Sequence, residues 1–367
     1  MYQQTEIKSY MPVNLVIGRQ CVSKGKKVFL ETGNKYLIVT GKSGAQKSGA
    51  LYDVLQVLAG KEYEVFNEIE ENPSFESIQK AGRICRDKKI DAIIAIGGGS
   101  ALDGAKAIAV LGACEMEPMD LFEKEIKKAL PLIAIPTTAG TGSEVTPYSI
   151  LTINKWQTKK SFASSLIFPK HAFLDPGYTY SLSEYFTLST AFDAASHLFE
   201  SYLSKRSTSL SQMYANQGME SFSKCIGPLR ERKFDEETRY NLMYASYLGG
   251  MAITHTGTTA MHALGYSMTY FHNFPHGFAN LYFCRPYFTR MLKAVEDKTL
   301  HVIEKMGFKD YEDMCQFFEE PLDKVNLSLK DCEKYASLAN MQASIQLTYG
   351  DLKEKDLVDI YLEAARL

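Results

Sequence analysis

The stretch Asp91-Ala92-Ile93-Ile94-Ala95-Ile96 is a near-continuous apolar run that ends abruptly in Gly97-Gly98-Gly99-Ser100. A strand that is apolar on both of its alternating faces has to be covered on both sides, as central strands of parallel sheets are. Pro131-Leu132-Ile133-Ala134-Ile135 repeats the pattern, and Ala172-Phe173-Leu174-Asp175 follows it. Upstream, Lys35-Tyr36-Leu37-Ile38-Val39-Thr40 reads as a buried strand, residues 49–58 as a helix, 63–66 as a strand and 75–88 as an amphipathic helix. Residues from about 12 to 175 therefore alternate strand and helix, which predicts a parallel, doubly wound, Rossmann-like sheet.

After Asp175-Pro176-Gly177 the texture changes. Residues 184–203, 209–225, 236–251 and 330–347 carry helical periodicity and few β-branched clusters, so the second half is predicted to be all-α. The expected organisation is an α/β domain over residues 1–180 and an all-α domain over 181–367, with the boundary near 177–183. The two halves are expected to pack directly and leave a cleft. A chain of 367 residues accommodates two such domains.

A formal net charge of −2, with no run of lysine and arginine, removes the electrostatic footprint that nucleic acid binding requires. The N-terminus Met1-Tyr2-Gln3-Gln4-Thr5-Glu6 has neither a basic nor an apolar leader region, and no apolar run is long enough to cross a bilayer. Seven cysteines are scattered without a Cys-x2-Cys pair and read as free thiols. The expected location is cytoplasmic.

Gly97-Gly98-Gly99-Ser100 precedes Ala101-Leu102-Asp103-Gly104-Ala105-Lys106-Ala107, a good helix former. Ser100 and Asp103 make a Ser-x-x-Asp pattern that predicts the helix start. Glycines without a Cβ let a pyrophosphate approach the backbone, and the helix N-terminus supplies free N–H groups. Tight strand-to-helix turns also use glycine for steric reasons alone, but the strand-turn-helix context favours phosphate. The second loop, Pro136-Thr137-Thr138-Ala139-Gly140-Thr141-Gly142-Ser143-Glu144, could line a phosphate, ribose or carboxamide, or could be a polar loop entering a helix capped by Ser143. Neither loop is Gly-x-Gly-x-x-Gly or Gly-x4-Gly-Lys-Ser/Thr.

Asp193 and His197 form an Asp-x3-His pair in a stretch without helix breakers, so both side chains fall on one helical face. His262 and His276 lie further on, with Pro275 stopping a helix so that His276 approaches from a separate turn. Four of the seven histidines, His255, His262, His272 and His276, crowd into residues 255–276. Asp193, His197, His262 and His276 make a mixed nitrogen and oxygen set that suits Fe²⁺ or Zn²⁺ better than Mg²⁺ or Ca²⁺. His255 and His272 are read as outer or structural residues.

Together these motifs resemble the iron-containing (group III) alcohol dehydrogenase family. The matches are Gly97-Gly98-Gly99-Ser100-x-x-Asp103-x-Ala105-Lys106, Ile135 to Thr146, Asp193-x3-His197 and His262-x13-His276-Gly277. The resemblance implies an NAD(P)-binding first domain and a helical second domain whose Asp193, His197, His262 and His276 hold Fe²⁺, with Zn²⁺ as the alternative. It implies that Gly98, Gly99, Ser100 and Asp103 contact cofactor phosphate and ribose, and that Thr137, Thr138, Thr141 and Ser143 surround the ribose and nicotinamide. Many members carry a further histidine four residues after the first C-terminal metal histidine, where this chain has Tyr266. Tyr266 and His272 are the candidate catalytic side chains. The implied activity moves a hydride between NAD(P)(H) and a small alcohol or aldehyde, diols included. Such proteins are often dimeric or larger, and a strand at residues 13–17 could pair across a two-fold axis.

Two alternatives belong to other function classes. A dehydroquinate-synthase-like lyase needs basic residues around an anionic substrate, and residues 255–276 contain no lysine or arginine. A non-catalytic nucleotide-binding sensor is disfavoured by the presence of all four candidate ligands. For the cofactor, NAD-preferring members commonly place Asp directly after the first strand, where it bonds the ribose 2′-hydroxyl and repels a 2′-phosphate. This chain has Gly41-Lys42-Ser43-Gly44 there and no carboxylate until Asp53. NADP(H) is the expected cofactor, with NAD(H) as the alternative, and Gly41, Lys42 and Ser43 are expected to meet the phosphate.

Overall fold

The computed structural model describes residues 6–366, which form two compact units, one of residues 11–183 and one of residues 184–366 with residues 6–10. In the first unit the strands are β1 (Asn14–Ile17), β2 (Lys35–Gly41), β3 (Glu62–Ile69), β4 (Ala92–Gly97), β5 (Leu132–Pro136), β6 (Tyr148–Ile153), β7 (Thr158–Ala163) and β8 (His171–Leu174). Six of them build one parallel sheet in the order β1-β8-β5-β4-β2-β3, while β6 and β7 form a separate antiparallel hairpin.

The sheet is covered on both faces, as the apolar runs require. Ile93 and Ala95 of β4 join one core cluster with Leu37, Leu132 and Ala134, whereas Ala92, Ile94 and Ile96 join the other with Tyr36, Ile133 and Phe173. The chain steps outward from β2 to β3, then returns to the far side of β2 to make β4. The order of winding thus reverses between β2 and β4. Their C-terminal ends carry Gly41-Lys42 and Gly97-Gly98-Gly99, and the crevice outside such a reversal is where open α/β sheets bind ligands.

Helix α1 (Gly99–Ala113) follows β4 directly. Its start differs from the expected capping pattern. Gly98 is the N-cap and no side chain caps it, Ser100 Oγ accepts the Asn72 N–H at 3.2 Å, and Asp103 turns into the interior. Asp103 and Lys106 lie three residues apart on α1, so both face the hairpin, and a buried lysine recruits the carboxylate more strongly than exposed N–H groups do.

The second unit is helical. Helices α2 (Glu184–Tyr202), α3 (Ser209–Ser223), α4 (Glu236–Thr256), α5 (Ala260–His272) and α6 (His276–Leu281) bear on the site, and further helices follow to Ala364. Polar as well as apolar residues of α2 are buried, which marks it as a central helix packed from several sides. Glycines admit its neighbours. A methyl group on Gly218 of α3 would overlap Leu198, and one on Gly249 of α4 would sit 3.2 Å from His197 Cβ. No described helix is long and apolar enough to cross a membrane.

Candidate active site

Asp193, His197 and Glu200 recur at four- and three-residue steps along α2, so one buried helical stripe carries two carboxylates and an imidazole. Helix α5 brings His262, also buried. Asn273 then takes a left-handed conformation (φ 56°) and ends that helix, and Pro275 precedes α6, whose first residue is His276. Gly277 makes the approach of α6 to α2 possible. A Cβ there would overlap Ser189 O and lie 2.8 Å from the Asp193 nitrogen.

Three of the candidate ligands, Asp193, His262 and His276, bring their donor atoms within 4.8 Å of one another, and His197 stands beside Asp193 and His262. Asp193 Oδ1 lies 3.8 Å from His197 Nε2, 3.6 Å from His262 Nε2 and 3.7 Å from His276 Nε2, and the Nε2 atoms of His197 and His262 are 3.0 Å apart. Ligands held at about 2.0–2.2 Å around a tetrahedral cation stand roughly 3.3–3.6 Å from one another. The separations of 3.6 and 3.7 Å from Asp193 Oδ1 to His262 and His276 lie close to that spacing. An imidazole nitrogen set with one carboxylate is also the donor chemistry of Fe²⁺ and Zn²⁺.

Glu200 supplies what the four ligands lack. Its carboxylate accepts the His262 Nδ1–H in a short hydrogen bond and also the Thr259 N–H (2.9 Å) and hydroxyl (2.6 Å). With its Nδ1 proton committed there, His262 turns Nε2 to the other ligands. Burial raises the Glu200 carboxyl, but His262 and Thr259 more than reverse this and hold it below the usual range. Burial likewise raises Asp193, and His197, His276 and His262 outweigh it so that Asp193 stays ionised. Burial lowers His262, yet Glu200 and Asp193 push it up to about 9, so a proton and a cation compete for its Nε2.

Tyr266, one turn after His262, is half-buried with its ring stacked on His276 at 6.1 Å between centroids and 21° between planes. His272 stands apart from this group. Ten residues along a helix separate it from His262 by about 15 Å, and its Nε2 meets the Tyr335 hydroxyl at 3.1 Å. His255 bonds the Met251 carbonyl (2.8 Å) and the Ser9 hydroxyl (3.0 Å) and stacks on Tyr214. Glu200 and Asn280 were invisible to a search for ligands, although each repeats a ligand's helical spacing, three residues after His197 and four after His276.

In the first unit, Gly98, Gly99 and Ser100 are partly exposed at the start of α1. The first helical bond there runs from Leu102 N–H to Gly98 O (3.2 Å), so the N–H groups of Gly99, Ser100 and Ala101 lead the helix. The two glycine-containing loops pack on one another. A Cβ on Gly98 would come within 3.1 Å of Thr138, and one on Gly99 within 2.5 Å of Thr141. Thr137 is buried and donates its N–H to Gly97 O at 2.9 Å, whereas Thr138 and Thr141 are partly exposed. Gly41 is half-buried at the end of β2, and Lys42 and Ser43 are exposed.

Asp103 and Ser143 serve one another instead of facing outward. Ser143 Oγ donates to Asp103 Oδ1 at 2.5 Å, Ile150 N–H donates to Asp103 Oδ2 at 3.0 Å, and the fully buried Lys106 ammonium donates to Ser143 Oγ (2.7 Å), Thr146 Oγ1 (3.1 Å) and Tyr148 O (2.7 Å). This network ties the second loop and β6 to α1. Glu144 is buried beside it, and burial lifts its carboxyl to about 7 against the ordinary 4.5. The folded protein therefore holds an extra proton between those values, and its contribution to stability is lost as pH rises through about 7. We expect Glu144→Gln to overtake the unaltered protein in stability by on the order of 3 kcal/mol over that window. Urea midpoints measured across it test this, and parallel curves for the two proteins would contradict it.

Residues 12–176 match the family model described as iron-containing alcohol dehydrogenase, and residues 187–365 match that of the C-terminal part of the Fe-containing alcohol dehydrogenase family. The chain is 31% identical over 276 residues to alcohol dehydrogenase 4 of Schizosaccharomyces pombe, a match covering 74% of this chain and 65% of that protein. It is 32% identical over 279 residues to NADH-dependent butanol dehydrogenase B of Clostridium acetobutylicum, covering 73% and 70%. The crystal structure of an iron-containing alcohol dehydrogenase from Thermotoga maritima superposes with a TM-score of 0.90 at 37% identity, covering 98% of this chain and 99% of that one.

Proposed function

The chain belongs to the iron-containing alcohol dehydrogenase family, and from that premise we propose that it oxidises small alcohols and reduces small aldehydes with NAD(P)(H). The observation that carries this reading is the grouping of the Asp193, His262 and His276 donor atoms, with His197 beside Asp193 and His262 and the His262 tautomer fixed by Glu200. When bound, a divalent metal supplies Lewis acidity toward the substrate oxygen and the nicotinamide supplies or accepts the hydride. Asp193 holds a full charge in a buried setting, which favours a cation there. Glu200 keeps the Nε2 lone pair of His262 available. Tyr266, whose ring stacks on His276, is proposed to pass a proton or to orient the substrate through its hydroxyl. His272 is given a structural part by its bond to Tyr335.

Gly98, Gly99 and Ser100 are proposed to receive the cofactor pyrophosphate on the N–H groups that open α1, with Thr137, Thr138 and Thr141 on the facing loop. Asp103 and Ser143 would act by holding that loop in place. The family assignment favours this reading over a dehydroquinate-synthase-like lyase, and the complete ligand set favours it over a nucleotide sensor. Seven free thiols suit a reducing, cytoplasmic setting. β1 lies at the sheet edge and would serve a homodimer by pairing with its copy.

Metal analysis of the purified protein, with reduced-nicotinamide absorbance followed over a panel of small alcohols and aldehydes, tests the reading. It expects metal-dependent turnover that a chelator removes and Fe²⁺ or Zn²⁺ restores. Full turnover after complete metal removal would contradict it.

The cofactor is proposed to be NADP(H). Gly41 ends β2 at the winding reversal without a carboxylate to repel a 2′-phosphate, and exposed Lys42 and Ser43 follow it. Gly41→Asp is expected to shift the kcat/KM ratio at least tenfold toward NAD(H), about 1.4 kcal/mol. A Cβ there would stand 3.3 Å from Ile69 O, so β3 must yield by a few tenths of an ångström to admit the side chain. The Clostridium relative is named as NADH-dependent, so an NAD(H) preference in the unaltered enzyme is the result that would overturn this proposal.

A further inference from the structure

Helices α7 (Cys284–Ala294) and α8 (Tyr311–Glu319) of the second unit are fastened side by side. The Arg285 guanidinium donates to both oxygens of Glu312 (2.7 and 3.0 Å) and to both of Glu319 (2.7 and 2.8 Å). The Tyr311 hydroxyl shares a hydrogen bond of 2.7 Å with Thr289 Oγ1 and meets the Arg285 carbonyl at 3.1 Å. Glu312, Cys315 and Glu319 recur at three- and four-residue steps, so Cys315 lies on the α8 face that Arg285 grips. Cys284 immediately precedes Arg285, and both cysteines are fully buried. Their thiols meet in a side-chain hydrogen bond.

We propose that Cys284 and Cys315 are a redox-modification site, which hydrogen peroxide closes into a disulfide tying α7 to α8. The site is independent of the metal and cofactor readings above. In the first step one sulfur takes a peroxide oxygen: an S–O bond forms, the O–O bond breaks, and the other oxygen leaves as water with the thiol proton. In the second step the remaining thiol attacks that sulfur. An S–S bond forms, the S–O bond breaks, and the hydroxyl leaves as water with the second thiol proton. The two thiols lose two electrons and one peroxide is reduced to two waters. Rotation about the two Cα–Cβ bonds brings the sulfurs to the bonded distance of about 2.05 Å while the Arg285 clamp holds the helices. Burial, with Cys315 and Glu319 beside it, holds the Cys284 thiol well above its ordinary range. The pair therefore stays reduced under brief exposure and closes slowly.

Full-length protein held in millimolar hydrogen peroxide tests this, with a chelator present to keep free iron out of the reaction. Peptide mapping by mass spectrometry is expected to find Cys284 and Cys315 in one linked peptide, two hydrogens lighter than its two parts together. Dithiothreitol is expected to separate it. The crosslink joins residues 31 apart in sequence, so the oxidised protein is expected to unfold roughly 5–10 °C above the same sample after dithiothreitol. Cys284→Ala is expected to show neither the linked peptide nor the rise. If that variant does not fold, Cys315→Ala takes its place. Cys114 is partly exposed and reports that the oxidant has acted. Absence of the linked peptide once Cys114 is oxidised overturns the proposal. Pairing of Cys284 or Cys315 with a different cysteine, or an equal rise in Tm in the alanine variant, also overturns it.

Discussion

Alanine at His262 or at His276 is expected to remove bound metal and turnover together, whereas alanine at His255 leaves both in place. Loss of a residue that merely orients a ligand costs about 10–100-fold in metal affinity, so loss of a ligand is expected to exceed a hundredfold. The two variants should differ in stability. His262→Ala leaves the buried Glu200 carboxylate with Thr259 as its remaining hydrogen-bond partner among the described residues, and breaking a buried pair costs about 3–5 kcal/mol. The His276 side chain is 22% exposed, so His276→Ala should lose metal at a smaller cost to the fold. His255 touches Met251, Ser9 and Tyr214, none of which lies among the ligands. Metal content, turnover and thermal unfolding of the three variants check this. Full metal content in His262→Ala would remove the basis of the reading.

The second large effect is expected at a residue with no chemistry of its own. In Gly277→Ala the new methyl group overlaps the carbonyl of Ser189 and crowds the Asp193 nitrogen, so α6 must move off α2. Overpacking of this kind costs about 1–3 kcal/mol, which in a unit of this size lowers Tm by roughly 2–10 °C. The displacement is also expected to carry His276 away from Asp193 and weaken metal binding. Scanning calorimetry of the metal-free variant separates the packing cost from the loss of the ion. A metal-free Tm and a metal affinity equal to those of the unaltered protein would show that α6 does not need this close approach.

The parallel sheet was legible because its central strands are apolar on both faces, and the central helix α2 because Asp193 and His197 sit in an unbroken helical stretch. The hairpin of β6 and β7 was not. β7 reads Thr158-Lys159-Lys160-Ser161-Phe162-Ala163, with too little apolar alternation to mark a strand, and its turn ends on Gln157 in a left-handed conformation in place of glycine or asparagine. The Ser100 and Asp103 capping pattern misled for a related reason. Local spacing favours the cap, but Lys106 and Ser143, the latter forty residues away in sequence, compete for the same carboxylate. Glu200 and Asn280 were missed because each acts on a ligand from a neighbouring helix. Their side chains pair with residues 62 and 87 positions distant, a relation that helical periodicity does not contain.

The central claim is that one metal ion sits among four named side chains. An anomalous difference map at the iron edge, from crystals of iron-loaded protein, tests it most directly. A single strong peak is expected within bonding distance of Asp193 Oδ1 and the Nε2 atoms of His197, His262 and His276. A peak at any other set of residues, or no peak from protein that turns over its substrate, would contradict it.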